Sequence, residues 1–176
     1  MIGKFPSDDS VAAETGRTMG FYKAEVMFYQ KLSKNAKISV PELYYAELDE
    51  ENNFVLILED MSPAKQGDHM LGCSVELAQI GLTELAKLNG KFWNDKDLEK
   101  EKWLYIPSTA QGFYTNEIVR DSWKYFVSTY GSELDQEVRT TLEKFMTKHE
   151  AWNQPRIKNR CFSHNDYRVD NMLFLN

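Results

Sequence analysis

No stretch of the chain approaches the run of about 20 apolar residues that a membrane-spanning helix needs, and the first thirty residues hold no uninterrupted apolar leader core. Neither secretion nor a membrane anchor is expected. Positive charge is scarce as well. Against 27 Asp and Glu there are 21 Lys and Arg, giving a formal net charge of -6 and a pI near 5.2. Binding a nucleic-acid backbone needs clustered cations, so that class of partner is set aside, while a local phosphate site is compatible with the balance. Cysteine is rarer still. Cys73 and Cys161 lie far apart and in neither a C-x-x-C nor a zinc pattern, which excludes a disulfide framework and points to free thiols in a reducing compartment, the cytoplasm by default. Of the three histidines, His69 and His149 have no ligand spacing that joins them to His164 and Asp166, so a metal-dependent hydrolase is the weakest functional class.

What is present is apolar content of 42% in 176 residues, enough to bury a core in one domain or two small lobes. Ile2 to Phe5 has the look of a strand end before Pro6. Asp8, Asp9 and Ser10 offer helix caps, and helical patterning follows from Val11 to about Leu32, with candidate interruptions at Gly16 and Gly20. In its second half Phe21, Glu25, Phe28 and Leu32 fall at i, i+4, i+7 and i+11, which puts Glu25 inside an apolar stripe. A carboxylate there needs a cation, or it lies at the edge and reaches water beside Lys23 or Lys31.

After Pro41, residues 43–48 and 54–58 flank the polar turn Asp49 to Asn53 and predict a β-hairpin. Phe54, Val55, Leu56, Ile57 and Leu58 are apolar at every position, so this strand is expected inside a sheet and buried on both faces. Glu59 to Pro63 then reads as a hinge. Ser74 caps a helix from Val75 to about Trp93 with the stripe Leu77, Gly81, Leu85, Leu88 and Phe92. Two further helices are expected, one with Phe113, Ile118, Trp123, Phe126 and Tyr130, the other with Leu134, Val138, Leu142, Phe145 and Met146, both as plain core.

The densest chemistry lies in Cys161 to Asn176, CFSHNDYRVDNMLFLN, where His164, Asp166 and Asn171 have the spacing H-x-D-x4-N. Kinase catalytic loops have that spacing, with an Asp for the proton of a substrate hydroxyl and an Asn whose amide oxygen ligates Mg2+. Three fixed residues arise at such spacing by accident in roughly one chain in a hundred, so ordinary turn formers are the competing reading. The apolar run Met172 to Leu175 is expected as a buried strand.

Several stretches together resemble the aminoglycoside phosphotransferase and choline kinase superfamily, in particular its ecdysteroid-kinase-like and bacterial phosphotransferase branch. FSHNDYRVDNMLF is similar to its catalytic loop, FVLILEDM to its last small-lobe strand and hinge, GFYKAEVMFYQKL to its Glu-bearing helix, and IGKFPSDD to the end of its Lys-bearing strand. The resemblance implies an α+β, protein kinase-like bilobal fold: a partial small lobe of hairpin plus helix over residues 1–60, a hinge at about 59–63, and a partial, mainly helical large lobe over 61–176. It implies ATP and Mg2+ as cofactors and a small-molecule hydroxyl as acceptor. Carried over by position, Asp166 is the catalytic Asp, His164 shapes the loop, and Arg168 has an auxiliary electrostatic role or a salt bridge to Asp170. Asn171 ligates Mg2+, Lys4 holds the ATP phosphates, Glu25 pairs with Lys4, and the backbone of Glu59, Asp60 and Met61 meets the adenine. No glycine-rich phosphate loop precedes Lys4, the family's second acidic Mg2+ ligand would lie beyond Asn176, and Asn89 stands where relatives often have His. The expectation is an internal fragment of a phosphotransferase, inactive alone. The alternative is a catalytically incompetent nucleotide-binding or interaction module.

Overall fold

The computed structural model describes residues 1–104, 115–152 and 158–175. In chain order the elements are β1 (Ile2–Lys4), α1 (Ser10–Thr18), α2 (Phe21–Met27), β2 (Leu43–Leu48), β3 (Phe54–Leu58), β4 (Lys65–Gln66), α3 (Val75–Lys91), α4 (Asn116–Tyr130), α5 (Gln136–Trp152) and β5 (Leu173–Phe174). The chain is α+β, with a three-stranded antiparallel sheet ordered β1-β3-β2 and a second sheet pairing β4 with β5. Among the described residues no helix is long and apolar enough to cross a membrane.

Caps set the helix starts. Asp9 accepts from the Ala12 N–H at 2.8 Å, Ser74 from Leu77 at 3.3 Å, and Thr115 from Ile118 at 3.2 Å. The helical segment expected from Val11 to Leu32 is broken at Gly20, whose φ of 72° only glycine adopts without strain. Gly16 does not interrupt it. It is buried inside α1 against the ring of Tyr22, where a Cβ would lie 2.4 Å from the ring. Past Met27 the helix widens into a π-turn over Phe28–Leu32.

The buried face of α2 is offset by one residue from the expected stripe. Phe21 is exposed, and the side chains that enter the core are Tyr22, Val26 and Tyr29, joined by Leu32. Glu25 therefore lies beside the apolar face rather than inside it. Opposite, Phe54, Leu56 and Leu58 point from β3 into the same core, while Val55 and Ile57 are only half-buried on the other face. The all-apolar strand is central in its sheet, yet its two faces are not equally covered. Leu56 and Val26 are fully buried, each stabilising the fold by roughly 1.5–3 kcal/mol.

A second core gathers Leu32, Ala36, Leu88 and Phe92 with Leu85, Leu98, Trp103 and Phe162, and Phe28 packs against both cores. That continuity explains the division of the chain. One compact unit comprises Met1–Leu104 with Lys158–Asn176, and the other is Tyr105–Ile157. The boundary expected near residue 60 thus falls within the first unit, because residues on both sides of the hinge share apolar contacts.

Within the second unit, Trp123, Phe126 and Tyr130 make a ring ladder with centroids 6.0 and 5.6 Å apart, and Arg120 pairs with Glu150 at 3.0 Å. The stripes expected as plain core are only partly covered: Ile118, Phe126, Tyr130, Val138 and Phe145 are all exposed. Two helices side by side bury a narrow seam, and His149, edge-on to Phe145, is its buried member. Phe113 lies outside the described residues.

Candidate functional site

Antiparallel pairing with Leu56 fixes Lys4 at the end of β1, and the first turns of α2 bring Glu25 alongside. The Lys4 ammonium donates to Glu25 Oε1 in an ion pair, with side-chain exposures of 46% and 33%. Of the two expectations for Glu25, a cation partner or a reach to water beside Lys23 or Lys31, the first is observed. Lys31 is instead engaged by Glu101 at 2.6 Å.

The loop after Cys161 is anchored at both ends. Phe162 stacks on Phe28 at 5.7 Å and meets Phe92 and Trp103 at 5.9 and 6.5 Å, which ties the loop's start to the second core. Asn165 takes the left-handed conformation, φ 64°, that Asn tolerates at a sharp turn. Beyond it, Tyr167 Oη donates to the Gly81 carbonyl at 2.7 Å. Gly81 is a close-approach position, since a Cβ there would lie 3.3 Å from Met172 Sδ and 4.0 Å from the Tyr167 ring. A 3-10 turn over Val169–Asn171 then leads into β5. That strand corrects the expectation of a buried one. Only Leu173 and Phe174 pair, with Gln66 and Lys65, and Leu173 and Leu175 are exposed. Two short strands pairing only with each other cannot cover both faces.

Between the anchors the polar side chains converge. Asn171 Nδ2 donates to both the backbone oxygen and Oδ2 of Asp166, each at 2.9 Å, so the amide orientation is fixed. Arg168 Nε lies 3.4 Å from Asp166 Oδ1 and 3.0 Å from Asp170 Oδ1. The salt bridge expected between Arg168 and Asp170 is present. Asp170 in turn faces His69 Nδ1 through Oδ2 at 3.4 Å, and its backbone oxygen accepts from Gln66 Nε2 at 2.5 Å.

His164 connects the two halves of the site. Its ring stands edge-on to Tyr167 at 5.4 Å, and desolvation on that side lowers its pKa below the ordinary value. The negative charges of Asp166 and of Glu25 act in the opposite direction; Phe28, one turn after Glu25, stacks at 5.7 Å on Phe162, two residues before His164. Lys4, Glu25, His164, Asp166, Arg168 and Asn171 are therefore linked by contact or by field.

The segment expected as a hinge, Glu59 to Pro63, is held by Glu42 and by its own Asp60 and Ser62. Glu59 N–H donates to the Glu42 carbonyl at 2.9 Å and Glu59 Oε2 accepts from the Glu42 N–H at 3.1 Å. Asp60 Oδ1 accepts from the Ser62 hydroxyl at 2.7 Å and the Ser62 N–H at 3.0 Å, and these bonds hold its carboxyl below the usual range. Among the described residues neither the Glu59 carbonyl nor the Met61 N–H has a hydrogen-bond partner. A shallow depression of about 510 Å3 lies elsewhere, lined by Glu14, Arg17, Thr18, Glu51, Asn52 and Asn53, and holds none of the clustered residues.

Gln66, Gly67 and His69 did not emerge from the sequence. Asp170 was expected only as a candidate salt-bridge partner of Arg168, and the others have no spacing relation to the loop; the β4–β5 pairing alone brings them there. Among the described residues no group of three or more His, Cys, Asp or Glu side chains is arranged to hold a metal ion. No family model matches the chain, and neither a curated protein nor a solved structure matches it.

Proposed function

We propose that the chain is a kinase-like phosphotransferase of the aminoglycoside phosphotransferase and choline kinase type, bilobal in architecture and cytoplasmic, that moves the ATP γ-phosphate to a hydroxyl of a small molecule. The observation that carries this reading is the approach of two features from opposite ends of the sequence, the Lys4–Glu25 ion pair and the H-x-D-x4-N loop: Phe28, one turn after Glu25, stacks at 5.7 Å on Phe162, two residues before His164.

In this reading Asp166, exposed and held from Asn171, accepts or orients the proton of the acceptor hydroxyl. Lys4 holds the phosphates and Glu25 keeps its ammonium in position. The Glu59 carbonyl and Met61 N–H, without a hydrogen-bond partner among the described residues, suit the donor and acceptor edge of adenine, while the Asp60 carboxylate is occupied by Ser62 and serves the segment's shape. The residues present fit Mg2+ in one respect: with Nδ2 committed to Asp166, the Asn171 amide oxygen has no protein partner among the described residues and is the hard ligand this ion takes. When bound, Mg2+ supplies charge neutralisation at the phosphates.

The test separates binding from chemistry. Calorimetry with Mg2+ and ATP is run on this chain and on its Lys4→Ala and Asp166→Asn variants, and ATP consumption with alcohols and amino alcohols is run on the complete reading frame that encodes it. Expected are binding that is lost in Lys4→Ala and kept in Asp166→Asn, and acceptor-dependent turnover that falls by about 10²–10⁴-fold in Asp166→Asn. Absence of ATP binding overturns the reading. Binding without any acceptor-dependent turnover assigns the non-catalytic nucleotide-binding module instead.

A further inference from the structure

Asp166 is an exposed side chain at the tip of a loop, and such a carboxylate ordinarily samples several rotamers. Here both of its oxygens are addressed. Asn171 Nδ2 takes Oδ2 at 2.9 Å and Arg168 Nε approaches Oδ1 at 3.4 Å. The Asn171 contact is made within the loop, but the Arg168 contact depends on a residue outside the pair, because the same Nε is 3.0 Å from Asp170 Oδ1.

Asp170 is the fixed point of this arrangement. Its side chain is 20% exposed, and Oδ1 is inaccessible to water and accepts no hydrogen bond among the described residues, so its 3.0 Å contact with Arg168 Nε is an ion pair. Its backbone is locked in the turn over Val169–Asn171, and Gln66 Nε2 grips its carbonyl at 2.5 Å. Gly67 N–H donates to the Met172 carbonyl at 3.1 Å, and Gly67 lies so close to Val169 that a Cβ would fall 2.4 Å from the Val169 carbonyl oxygen. A carboxylate in that position requires a cation. Arg168 supplies it, with His69 Nδ1 at 3.4 Å on the other oxygen. The guanidinium is thus held by the more enclosed partner and presented to the more exposed one, whose side chain is 63% exposed.

We propose that Arg168 and Asp170 are a positioning pair for Asp166, through which the segment after the hinge, Lys65 to His69, fixes the direction of the Asp166 carboxylate. The inference rests on the proposed role of Asp166. The Arg168–Asp166 contact, with both side chains more than half exposed, contributes little to folding. Its effect is on orientation, where a misplacement of about 1 Å costs about 10²-fold in rate. Neither Arg168 nor Asp170 forms or breaks a bond.

The experiment compares Arg168→Ala, Asp170→Asn, the double variant and Arg168→Lys. Amide hydrogen exchange over residues 164–171 is followed in this chain, and kcat and KM for ATP are followed in the complete reading frame. Each single variant is expected to speed exchange in the loop by about tenfold and lower kcat by about 10–100-fold with KM for ATP unchanged, the double variant to be no worse than either single one, and Arg168→Lys to recover part of the loss. Additive effects of the two single variants, unchanged loop exchange, or a rise in KM with kcat intact overturns the proposal. Asp166→Asn in the same series reads the underlying assignment separately. If that variant keeps full turnover, the role of Asp166 fails whatever the exchange data say about the pair.

Discussion

Tyr29 bears the clearest titration signal in the molecule. Burial against Val26 and β3, and secondarily the charge of Glu25, push its phenol up to about 12 from an ordinary value of 10.0. The folded protein therefore keeps the proton at a pH where the unfolded chain releases it. Stability from the neutral phenol is complete below pH 10 and is lost as the pH rises through about 12, by on the order of 2–3 kcal/mol. Tyr29→Phe is expected to match the wild type within about 1 kcal/mol at pH 7, since the ring stays buried, and to lose less stability between pH 10 and 12. Urea unfolding at both ends of that range measures it. The difference between the two proteins is the relevant quantity, because burial also raises Tyr167, and a hydrogen bond to Glu47 raises Tyr45. Parallel alkaline losses in the two would remove Tyr29 as the cause. The Lys4–Glu25 pair contrasts with it: at 46% and 33% exposure it contributes little to folding, so its arrangement is better read as placement of an ammonium than as a source of stability.

Among the elements, Gly67 is the position where one added methyl group tests the architecture. A Cβ would meet the Val169 carbonyl oxygen and Cγ1 at 2.4 Å, and the backbone has no room to retreat while Gly67 N–H holds Met172 and Gln66 holds Asp170. Gly67→Ala is expected to cost about 1–3 kcal/mol in chemical denaturation and to speed amide exchange in both the 65–69 and 166–172 segments. A denaturation midpoint equal to the wild type's would show that the two segments do not lean on each other. Nothing at Gly67 announced this in the sequence, because the constraint comes from Val169, in a distant part of the chain. The hairpin, by contrast, was legible. Asp49 caps its turn by accepting from the Glu51 and Asn53 N–H groups at 2.9 and 2.8 Å, and such local chemistry leaves a local signature. The H-x-D-x4-N spacing placed Asp166 and Asn171 on one short loop, but the bonds from Asn171 Nδ2 to Asp166 were not expected from it. The stripe through Phe21 and Phe28 misled because Tyr22, Val26 and Tyr29 have the same i, i+4, i+7 spacing one residue on, and periodicity alone does not choose between the two faces; Glu25 reached Lys4 from beside the apolar face instead of within it.

At the scale of the molecule Tyr105–Ile157 forms a compact unit of its own inside the sequence of the other. Apolar patterning could not reveal this, since both units carry helices with similar stripes; what separates them is which helices share a core. Every residue of the two hydrophobic clusters, both sheets and all the clustered polar side chains belong to the first unit. The chain leaves that unit after Leu104 and returns at Lys158, and the two stems are stapled close to these points. Trp103 packs on Phe162, and Trp103 Nε1 donates to Glu101 at 2.7 Å. Asn94 and Arg160 exchange bonds, Asn94 N–H to the Arg160 carbonyl at 2.7 Å and Arg160 N–H to Asn94 Oδ1 at 3.0 Å, while Arg160 also reaches Glu99 at 3.2 Å. Stems fixed by their own contacts do not need the inserted unit to hold them. Replacing residues 105–157 by a flexible Gly/Ser linker of about ten residues, able to span up to about 33 Å, is therefore expected to leave the first unit folded. The shortened chain should unfold in one cooperative transition, and its amide protection at Val26, Leu56 and Leu88 should stay within about tenfold of the parent's. Collapse of protection at those three sites would mean that the cores of the first unit require the second, and that the compact units marked by their contacts are not units of folding.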